Sequence, residues 1–257
     1  MGVGGRVVVS GASSGIGLAV AQRYAAEGWR VCATARREER LRTLLDELPG
    51  SPSSRRQDHL YVAGDYAEAE TAEAIGEMVV QRWGGLDALV NCAGVYMGGD
   101  PITTPLDEWR RPLEIMLDGA IHLTRMAAPL MQDGGRIVHV TSIHGARAER
   151  GSSAYSLAKA AIDQYCRALA VDLAPRGILV NAIAPGFVDT PMSVMDGVNE
   201  LETDWFRANY VEGHHLPLRR AARPEELAGV AWFLTGPDAS YITGQVLVVD
   251  GGLTITF

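Results

Sequence analysis

The 257-residue sequence is short of several features that would direct it to particular classes of protein. It has only three cysteines, Cys32, Cys92 and Cys166, which lie far apart. An odd number of distant cysteines argues against a disulfide framework or a CxxC metal or redox site, and indicates a reducing compartment. Basic residues are also scarce, with 23 Lys and Arg against 31 Asp and Glu. Because nucleic-acid binding needs clustered cations, this acidic balance argues against nucleic acid as a main partner.

Long apolar runs and targeting segments are missing as well. No run approaches the ~20 residues that span a membrane, and glycine and serine interrupt the first apolar run too early for a signal peptide. We therefore expect a soluble, cytoplasmic protein with no membrane partner. What the sequence does have is 47% hydrophobic residues, which is typical of a globular chain that forms its core without disulfides.

Short apolar segments alternate with longer amphipathic segments along the whole chain. Strands that are apolar on both faces and alternate with helices are typical of a parallel sheet covered on both sides. The predicted strands are Arg6–Ser10, Arg30–Thr34, His59–Val62, Ala88–Asn91, Gly135–Thr141, Ile178–Ile183 and Val246–Val249. The predicted helices are Gly15–Glu27, Glu38–Leu48, Ala67–Trp83, Leu106–Met131, Ser152–Ala174 and Glu225–Leu234.

This alternation predicts one α/β domain over residues 1–257, a Rossmann-like doubly wound parallel sheet of about seven strands. A polar loop is expected at residues 50–56, before the third strand. Residues 187–217 interrupt the alternation and have no regular pattern of turn residues. Because a long insertion in a compact fold is usually functional or disordered, we interpret this segment as a substrate lid.

A glycine-rich segment lies between the first strand and the first helix. Gly11, Gly15 and Gly17 follow a GxxxGxG spacing. Glycines let a phosphate approach the backbone closely, and the helix N-terminus offers free N–H groups and a partial positive charge. The segment is therefore interpreted as a dinucleotide-binding turn, and the alternative is a tight strand–helix turn with no ligand.

A tyrosine and a lysine four residues apart form a second motif. Tyr155 and Lys159 lie on one face of the predicted helix. A free tyrosine has a pKa of about 10, which is too high for efficient proton transfer at neutral pH. A nearby ammonium favours the phenolate, so we expect Lys159 to lower the pKa of Tyr155. Taken alone, such a pair is most often only part of a helix surface.

Further segments complete a family pattern that covers nearly the whole chain. They are Asn91-Cys92-Ala93-Gly94, Ser142, Pro185-Gly186 and Asp250-Gly251-Gly252. With the two motifs above, they make the chain resemble the classical short-chain dehydrogenases/reductases. The resemblance implies that Tyr155 gives its proton to a carbonyl oxygen during reduction and takes it back during oxidation. It also implies that Lys159 holds the nicotinamide ribose and that Ser142 donates a hydrogen bond to the substrate oxygen. Alternatively, Ser142 only caps the end of the strand, or Thr141 donates the hydrogen bond to the substrate oxygen in its place.

One position departs from the family pattern. The family usually has an asparagine three residues before a glycine in the long fourth helix, where this chain has Met116 before Gly119. In the family, that asparagine holds a local helix distortion whose backbone carbonyl binds a water leading to the lysine. Methionine lacks the side-chain hydrogen bonds but can leave the carbonyl in place. The resemblance therefore implies a modified, slower relay rather than an inactive enzyme.

The end of the second strand indicates which nicotinamide cofactor binds. Enzymes that use NAD carry an acidic residue there, where this chain has Ala35 followed by Arg36 and Arg37. Arginine suits a 2′-phosphate, so we expect NADP(H) rather than NAD(H). The alternative is that both arginines only begin the next charged helix. Ser14 stands where some NADP-using relatives carry a second cation.

The resemblance then implies a full set of cofactor contacts, with Asp65 at the adenine edge and Thr190 at the carboxamide. The expected cofactor-binding residues are Gly11, Ser13, Ser14, Gly15, Ile16, Gly17, Arg36, Arg37, Asp65, Asn91, Ala93, Gly94, Tyr155, Lys159, Pro185, Gly186, Val188 and Thr190.

The substrate pocket is expected around Tyr96, His144, Phe187 and Trp205. Aromatic residues of the lid can line an apolar substrate site, although anchoring the lid to its own subunit is an equal alternative. The lid has six acids against Arg207. These acids are Asp189, Asp196, Glu200, Glu202, Asp204 and Glu212. An acidic mouth would repel an acidic carrier protein, although arginines elsewhere in the chain leave this argument open.

The histidines do not indicate a metal site. Adjacent residues such as His214 and His215 usually point apart, and no cysteine or acidic cluster completes a ligand set. His59, His122 and His139 are interpreted as structural.

The sequence thus predicts an NADP-dependent oxidoreductase acting on a small-molecule ketone or the matching secondary alcohol. The first alternative is a reductase of 3-oxoacyl groups bound to acyl-carrier protein, and the second is a catalytically weak dinucleotide-binding sensor or scaffold. Relatives are usually tetramers or dimers, and the small residues Ala158 and Ala161 suit a helix interface. We therefore expect a homotetramer or homodimer.

Overall fold

The apolar segments form a parallel sheet of seven strands in the computed structural model, which describes residues 4–49 and 58–256. The strands are β1 Arg6–Ser10, β2 Arg30–Ala35, β3 Leu60–Ala63, β4 Leu86–Asn91, β5 Met131–Val140, β6 Leu179–Pro185 and, last in the chain, β9 Val246–Val249. Their order across the sheet is β3-β2-β1-β4-β5-β6-β9. The predicted Rossmann-like doubly wound sheet is confirmed. The predicted loop at residues 50–56 lies outside the described residues.

Helices cover both faces of this sheet. They are α1 Gly15–Ala26, α2 Glu38–Glu47, α3 Ala69–Trp83, α4 Leu106–Leu113, α5 Gly119–Leu130, α6 Ser153–Leu173 and, after the lid, α8 Pro224–Thr235. The apolar core has two layers because successive side chains of a strand point to opposite faces. Val7 and Val9 of β1 pack with α1, α2 and α8, while Val8 packs with α3, α5 and α6. Both layers are fully closed to solvent at these valines.

The long helical region predicted over Leu106–Met131 is confirmed as a continuous run to Leu130, with a π-helical segment inside it. Helix α4 ends at Leu113 and is followed by a turn of π-helix at Glu114–Asp118, before α5 begins. Pro112 lacks an amide hydrogen, so it removes one bond of the regular helical ladder immediately before the π-helical segment. The amide of Gly119 bonds back to Glu114 O, which is the π spacing. Strand β5 also begins earlier than predicted, at Met131 rather than at Gly135.

The lid predicted at residues 187–217 consists of short elements rather than an irregular loop. They are the hairpin β7 Val194–Met195 and β8 Val198–Asn199, the helical turn α7 Asp204–Phe206, and a π-helical turn at Arg207–Glu212. One bridge from Val188 to Ala222 ties its base together. Across residues 4–49 and 58–256, no helix has the length and apolar character needed to cross a bilayer.

The strand order reverses direction between β1 and β4. In an open α/β sheet, the crevice at such a reversal lies beyond the carboxyl ends of the strands and is where ligands bind. The glycine-rich turn after β1 and the segment after β4 therefore meet at this edge of the sheet.

Candidate active site

A cavity of about 670 Å³ opens at this edge of the sheet. Its walls come from the glycine-rich turn, the ends of β2, β4, β5 and β6, the start of α6, and the lid. The residues predicted from the sequence that line it are Gly11, Ser13, Ser14, Gly15, Ile16, Gly17, Arg36, Arg37, Asp65, Ala93, Gly94, Tyr96, Ser142, His144, Tyr155, Lys159, Pro185, Gly186, Phe187, Val188, Thr190 and Trp205. The fold thus brings together all the predicted site residues except Asn91.

Asn91 lies behind the cavity wall instead of in it. Its side chain is buried, and its Oδ1 accepts a hydrogen bond from Ser10 Oγ at 2.5 Å. The same hydroxyl accepts bonds from the amides of Cys92 and Ala93, both at 3.1 Å. Asn91 therefore holds the ends of β1 and β4 together and does not line the cavity.

The glycine-rich turn leaves no room for a side chain at Gly11 or Gly17. A Cβ on Gly17 would lie 2.4 Å from Gly11 O, and a Cβ on Gly11 would lie 3.0 Å from Cys92 O. Within the described segment 4–49, the first turn of α1 holds no acidic residue, and Ser14 at its start makes no side-chain cap bond. Free amides, an uncompensated helix N-terminus and a large cavity fit the pyrophosphate of a dinucleotide.

Tyr66 is a site residue that the sequence reasoning missed. Its hydroxyl accepts a hydrogen bond from the Gly11 amide at 2.9 Å and donates one to Thr34 O. The buried ring thereby ties the glycine-rich turn to the end of β2. Its position beside Asp65, immediately after a strand, was the available signal. Burial raises the pKa of the Tyr66 hydroxyl, which stays protonated and able to donate.

Ser142, Tyr155 and Lys159 meet inside the cavity. Tyr155 is 8% exposed, and its hydroxyl shares a hydrogen bond with Ser142, which follows the end of β5. Lys159 Nζ donates to Val140 O at 2.9 Å and lies 5.6 Å from the centre of the Tyr155 ring. Ser142 Oγ also accepts a hydrogen bond from the amide of His144 at 3.2 Å, so Ser142 caps the turn that follows β5. The rival Thr141 donates to Ile183 O at 3.2 Å, on the sheet side.

The expected lowering of the Tyr155 pKa is wrong for the chain by itself. Burial raises this pKa, and the hydrogen bond from Ser142 opposes the rise only in part. Burial also lowers the pKa of Lys159 to about 8, against the charge of Asp163. The sequence places the two residues on one helix face, but it does not reveal how completely the fold removes both from water.

The two arginines after β2 are both exposed and both line the cavity. Arg37 Nη2 donates to Ser13 Oγ and to Ser14 Oγ, each at 3.0 Å. Ser14 leaves the glycine-rich turn without a cation of its own, but a cation still reaches the turn. Arg37 brings that cation from the neighbouring strand, because parallel strands end side by side.

Asp65 lies opposite these arginines and is already paired. Its Oδ2 is 3.0 Å from Arg111 Nη2, and its Oδ1 accepts from the Ala67 amide at 3.1 Å. Arg111 reaches it from α4, which no sequence motif indicated.

Aromatic rings form the half of the cavity on the lid side. The ring of Tyr96 packs edge-on against Tyr155 at 5.3 Å, and His144 packs on the other side at 5.6 Å. On the lid, Phe187 contacts Tyr210 at 4.7 Å, and Trp205 contacts Tyr210 at 5.5 Å. These lid rings pack against one another, and Phe187, Trp205 and Tyr210 also line the cavity.

The charge at the mouth differs from the sequence expectation. Of the six lid acids, Glu200 alone lines the cavity, where Glu149 joins it. Burial and the charge of Glu149 raise the pKa of Glu200. Arg147 also lines the cavity, and its Nη2 donates to Thr254 O at 2.9 Å. The C-terminal segment thus closes one side of the mouth, which the sequence reasoning missed because its residues carry no motif.

The remaining histidines take no part in the cavity. His139 is fully buried beside the site, and burial with the Lys159 charge lowers its pKa to about 4. His59 Nδ1 accepts from the Val31 amide at 3.1 Å, and His214 Nδ1 lies 3.0 Å from Arg219. In the part of the chain that the structure describes, no three His, Cys, Asp or Glu side chains group as metal ligands.

Known proteins are similar to this chain in sequence and in fold. A family model described as enoyl-(acyl carrier protein) reductase matches residues 11–254. The chain is 35% identical over 250 residues to a 3-oxoacyl-(acyl-carrier-protein) reductase of Thermotoga maritima, covering 96% of this chain and 97% of that protein. It is 32% identical over 255 residues to meso-2,3-butanediol dehydrogenase of Serratia marcescens, covering 96% and 94%. The crystal structure of L-sorbose reductase from Gluconobacter frateurii, complexed with NADPH and L-sorbose, superposes with a TM-score of 0.88 at 33% identity and covers 100% of this chain and 99% of that one.

These similarities agree with the geometry of the cavity. The members of this family bind a nicotinamide dinucleotide, and the relatives act on small-molecule substrates. The glycine-rich turn and the Ser142, Tyr155 and Lys159 cluster occupy the corner of the sheet where such a cofactor binds. The chain therefore belongs to the classical short-chain dehydrogenase/reductase family and is an oxidoreductase.

Proposed function

We propose that the protein is an NADP-dependent reductase of a small-molecule ketone, or the dehydrogenase of the matching secondary alcohol. The observation that carries this proposal is the meeting of Ser142, Tyr155 and Lys159 inside a cavity whose other end holds Arg36 and Arg37. One end of the cavity offers proton chemistry, and the other offers cations for a phosphate.

Each part of the cavity has a role in this proposal. The amides at the start of α1 bind the pyrophosphate, Arg36 binds the 2′-phosphate, and Lys159 binds the nicotinamide ribose. Asp65 lies at the adenine edge and Thr190 at the carboxamide. When bound, NADPH supplies a hydride to the carbonyl carbon.

Two protein groups act on the carbonyl oxygen. Ser142 donates a hydrogen bond to it, and Tyr155 gives its hydroxyl proton to it as the alcohol forms. The raised pKa of Tyr155 keeps this proton available at neutral pH. Tyr96, His144, Phe187 and Trp205 surround the organic part of the substrate and exclude water.

An assay with purified protein tests this function. NADPH and NADH oxidation are followed by absorbance over a panel of ketones, with free and carrier-bound acetoacetyl thioesters included. We expect oxidation of NADPH, faster than of NADH, with at least one small ketone. Tight binding of NADPH without turnover of any panel member would instead support the sensor or scaffold.

A second candidate is reduction of 3-oxoacyl groups on acyl-carrier protein, which the similarity to the Thermotoga maritima enzyme favours. Against it stand Glu149 and Glu200 at the cavity mouth, because an acidic carrier is repelled there. Arg147 beside them makes its hydrogen bond to the Thr254 carbonyl and forms no ion pair with either carboxylate among the described residues.

Neutralising this pair is expected to help a carrier substrate selectively. The variant with Glu149→Gln and Glu200→Gln should raise kcat/KM for the carrier-bound thioester roughly 10-fold by removing repulsion. Its kcat/KM for a neutral ketone should change far less. Steady-state kinetics at low salt measures both. Glu212→Gln, which neutralises a lid acid outside the cavity, is the matched control, and an equal gain in that variant would contradict the prediction.

Met116 is the observation behind the weak-enzyme alternative. The π-helical turn is formed without the family asparagine, and Met116 is buried in an apolar cluster with Tyr155, Ala158 and Ile162. The helix distortion therefore does not require the asparagine side chain here, which supports an active enzyme with an altered relay.

Met116→Asn is expected to change kcat while destabilising the fold. An amide in this apolar cluster costs about 1–3 kcal/mol of unfolding free energy, while restored side-chain hydrogen bonds should speed proton delivery. Turnover assays and denaturant unfolding measure the two effects. Met116→Leu, which adds no polar group, is the control, and equal kcat values in all three proteins would show that the relay is unaffected by this position.

We also propose a homotetramer or homodimer in the cytoplasm. Leu157 and Val171 on α6 are 48% and 75% exposed, on a helix rich in small residues. Apolar side chains exposed in this way are typical of a surface that packs against another subunit.

A further inference from the structure

A buried carboxylate behind the site takes no part in the chemistry described so far. Asp163 lies on α6, one turn after Lys159 and two turns after Tyr155, and is 5% exposed. Among the described residues, its Oδ1 is buried and has no hydrogen-bond partner. A buried, partly unpaired carboxylate disfavours folding. Its presence behind the site therefore suggests that Asp163 contributes to the site.

One side of this carboxylate contacts the turn that carries Ser142. Thr141, directly before Ser142 in the chain, opposes the rise that burial causes in the pKa of the carboxyl, while its hydroxyl donates to Ile183 O. Gly145 ends the same turn, and a Cβ added there would lie 2.2 Å from Asp163 Oδ2. The carboxylate is therefore wedged between α6 and the turn at Ile143–Gly145, and glycine is the residue that leaves space for it.

Lys159 lies one turn before Asp163 on the same helix, and both side chains are buried. Burial lowers the pKa of Lys159 to about 8, and the Asp163 charge is the larger of the two influences that oppose this. The second is the Cys92 thiol, whose pKa burial raises to about 12. From β5, His139 also faces Lys159, with its pKa lowered to about 4.

Among the titratable neighbours of Lys159 named above, Asp163 is the one that can carry a negative charge at neutral pH. At neutral pH the Cys92 thiol, the His139 ring and the Tyr155 phenol all carry no charge, following the pKa directions above. Burial raises the pKa of the Asp163 carboxyl, and Arg167, one turn further along α6, is one of the groups that oppose this rise. In the described chain, Asp163 is thus the anion that faces this ammonium.

We infer that Asp163 is a positioning residue: its carboxylate locks the Ser142 turn onto α6 and supplies the negative charge that keeps Lys159 an ammonium. The inference rests on the proposed function, in which a charged Lys159 holds the ribose and acts on Tyr155. The two parts of the site, one at the end of β5 and one on α6, are held in register by this one side chain.

Asp163→Asn separates charge from shape, because the amide keeps the size of the carboxylate and loses its charge. We expect the titration midpoint of Lys159 to fall by roughly one pH unit or more. The basic limb of kcat/KM for carbonyl reduction should move to lower pH with it.

The sequence makes Lys159 directly observable, because it is the only lysine among the 257 residues. Protein produced with lysine labelled with carbon-13 at Cε gives one lysine signal, whose chemical shift is followed against pH in the wild type and in Asp163→Asn. Asp172→Asn makes the same charge change at an exposed position of the same helix and is the matched control. Its midpoint should equal that of the wild type.

This measurement needs no turnover, so it separates the two hypotheses. A lower midpoint in Asp163→Asn without any carbonyl reduction by the wild type would support the positioning role and reject the proposed function. An unchanged midpoint in Asp163→Asn would overturn the inference, whatever the activity. If that variant does not fold, Asp163→Ser serves in its place, with the same expected shift and the same contradicting outcome.

The locking part of the inference has its own variant. Gly145→Ala pushes the Ser142 turn away from the carboxylate and keeps the charge. We expect kcat to fall at least 10-fold while the Lys159 midpoint moves less than in Asp163→Asn. Full activity in Gly145→Ala would show that the turn is not locked by this contact.

Discussion

Replacing Tyr155 by phenylalanine is expected to lower kcat for carbonyl reduction by about 10²–10⁴-fold. The variant loses the hydroxyl that carries the proton and keeps the ring that packs against Tyr96 and His144. The hydrogen bond from Ser142 then has no partner on α6. Because the ring remains, the cavity keeps its shape, and NADPH binding and thermal stability should change little.

NADPH oxidation with the best ketone of the panel measures this loss, and fluorescence titration measures NADPH affinity. Tyr241→Phe removes a hydroxyl from a fully exposed ring and is the control. A Tyr155→Phe enzyme that retained most of its kcat would reject Tyr155 as the proton donor, and with it the proposed mechanism.

Arg36→Asp is expected to reverse the cofactor preference. Loss of a charge-assisted contact to the 2′-phosphate costs about 1.5–3 kcal/mol, or roughly 10- to 150-fold in affinity, before repulsion by the new carboxylate is added. The new aspartate can accept hydrogen bonds from the ribose hydroxyls of NADH. The Michaelis constant for NADPH should therefore rise strongly, and that for NADH should stay constant or fall.

Arg40→Asp is the matched control, because Arg40 is an exposed arginine on the nearby helix α2 and does not line the cavity. Steady-state kinetics with both cofactors at one ionic strength distinguishes a local contact from a general loss of positive charge. Equal changes in the Michaelis constants for NADPH and NADH in Arg36→Asp would contradict the assignment of NADP as the cofactor. Arg37 remains in both variants, with its bonds to Ser13 and Ser14 intact.

The sheet and most of the site could be predicted from the sequence because they depend on local periodicity. Apolar strands alternating with amphipathic helices determine the layers, and the carboxyl ends of parallel strands then meet at one edge. Tyr155 and Lys159 share a face because a helix repeats every 3.6 residues. The π-helical segment at Glu114–Asp118 has no strong signal in the pattern of apolar residues, so only the family resemblance pointed to a distortion near Met116.

The properties that depend on neighbours distant in sequence could not be predicted in this way. Arg37, after β2, reaches Ser13 and Ser14 after the neighbouring β1, and Tyr66, after β3, reaches past β2 to Gly11. These contacts follow from the register of the sheet, and a motif in one segment contains no information about it.

By itself, the sequence determined the fold, the family and the residues that gather at the cavity, because spacing and order along the chain carry that information. The tertiary structure alone decided how those residues behave. It removed Tyr155 and Lys159 from water, which raises the pKa of Tyr155 and lowers the pKa of Lys159, so that the neutral form of each is favoured. It also placed the buried charge of Asp163 beside them. Desolvation and charge are summed over every surrounding atom, so they exist only once the whole chain has packed.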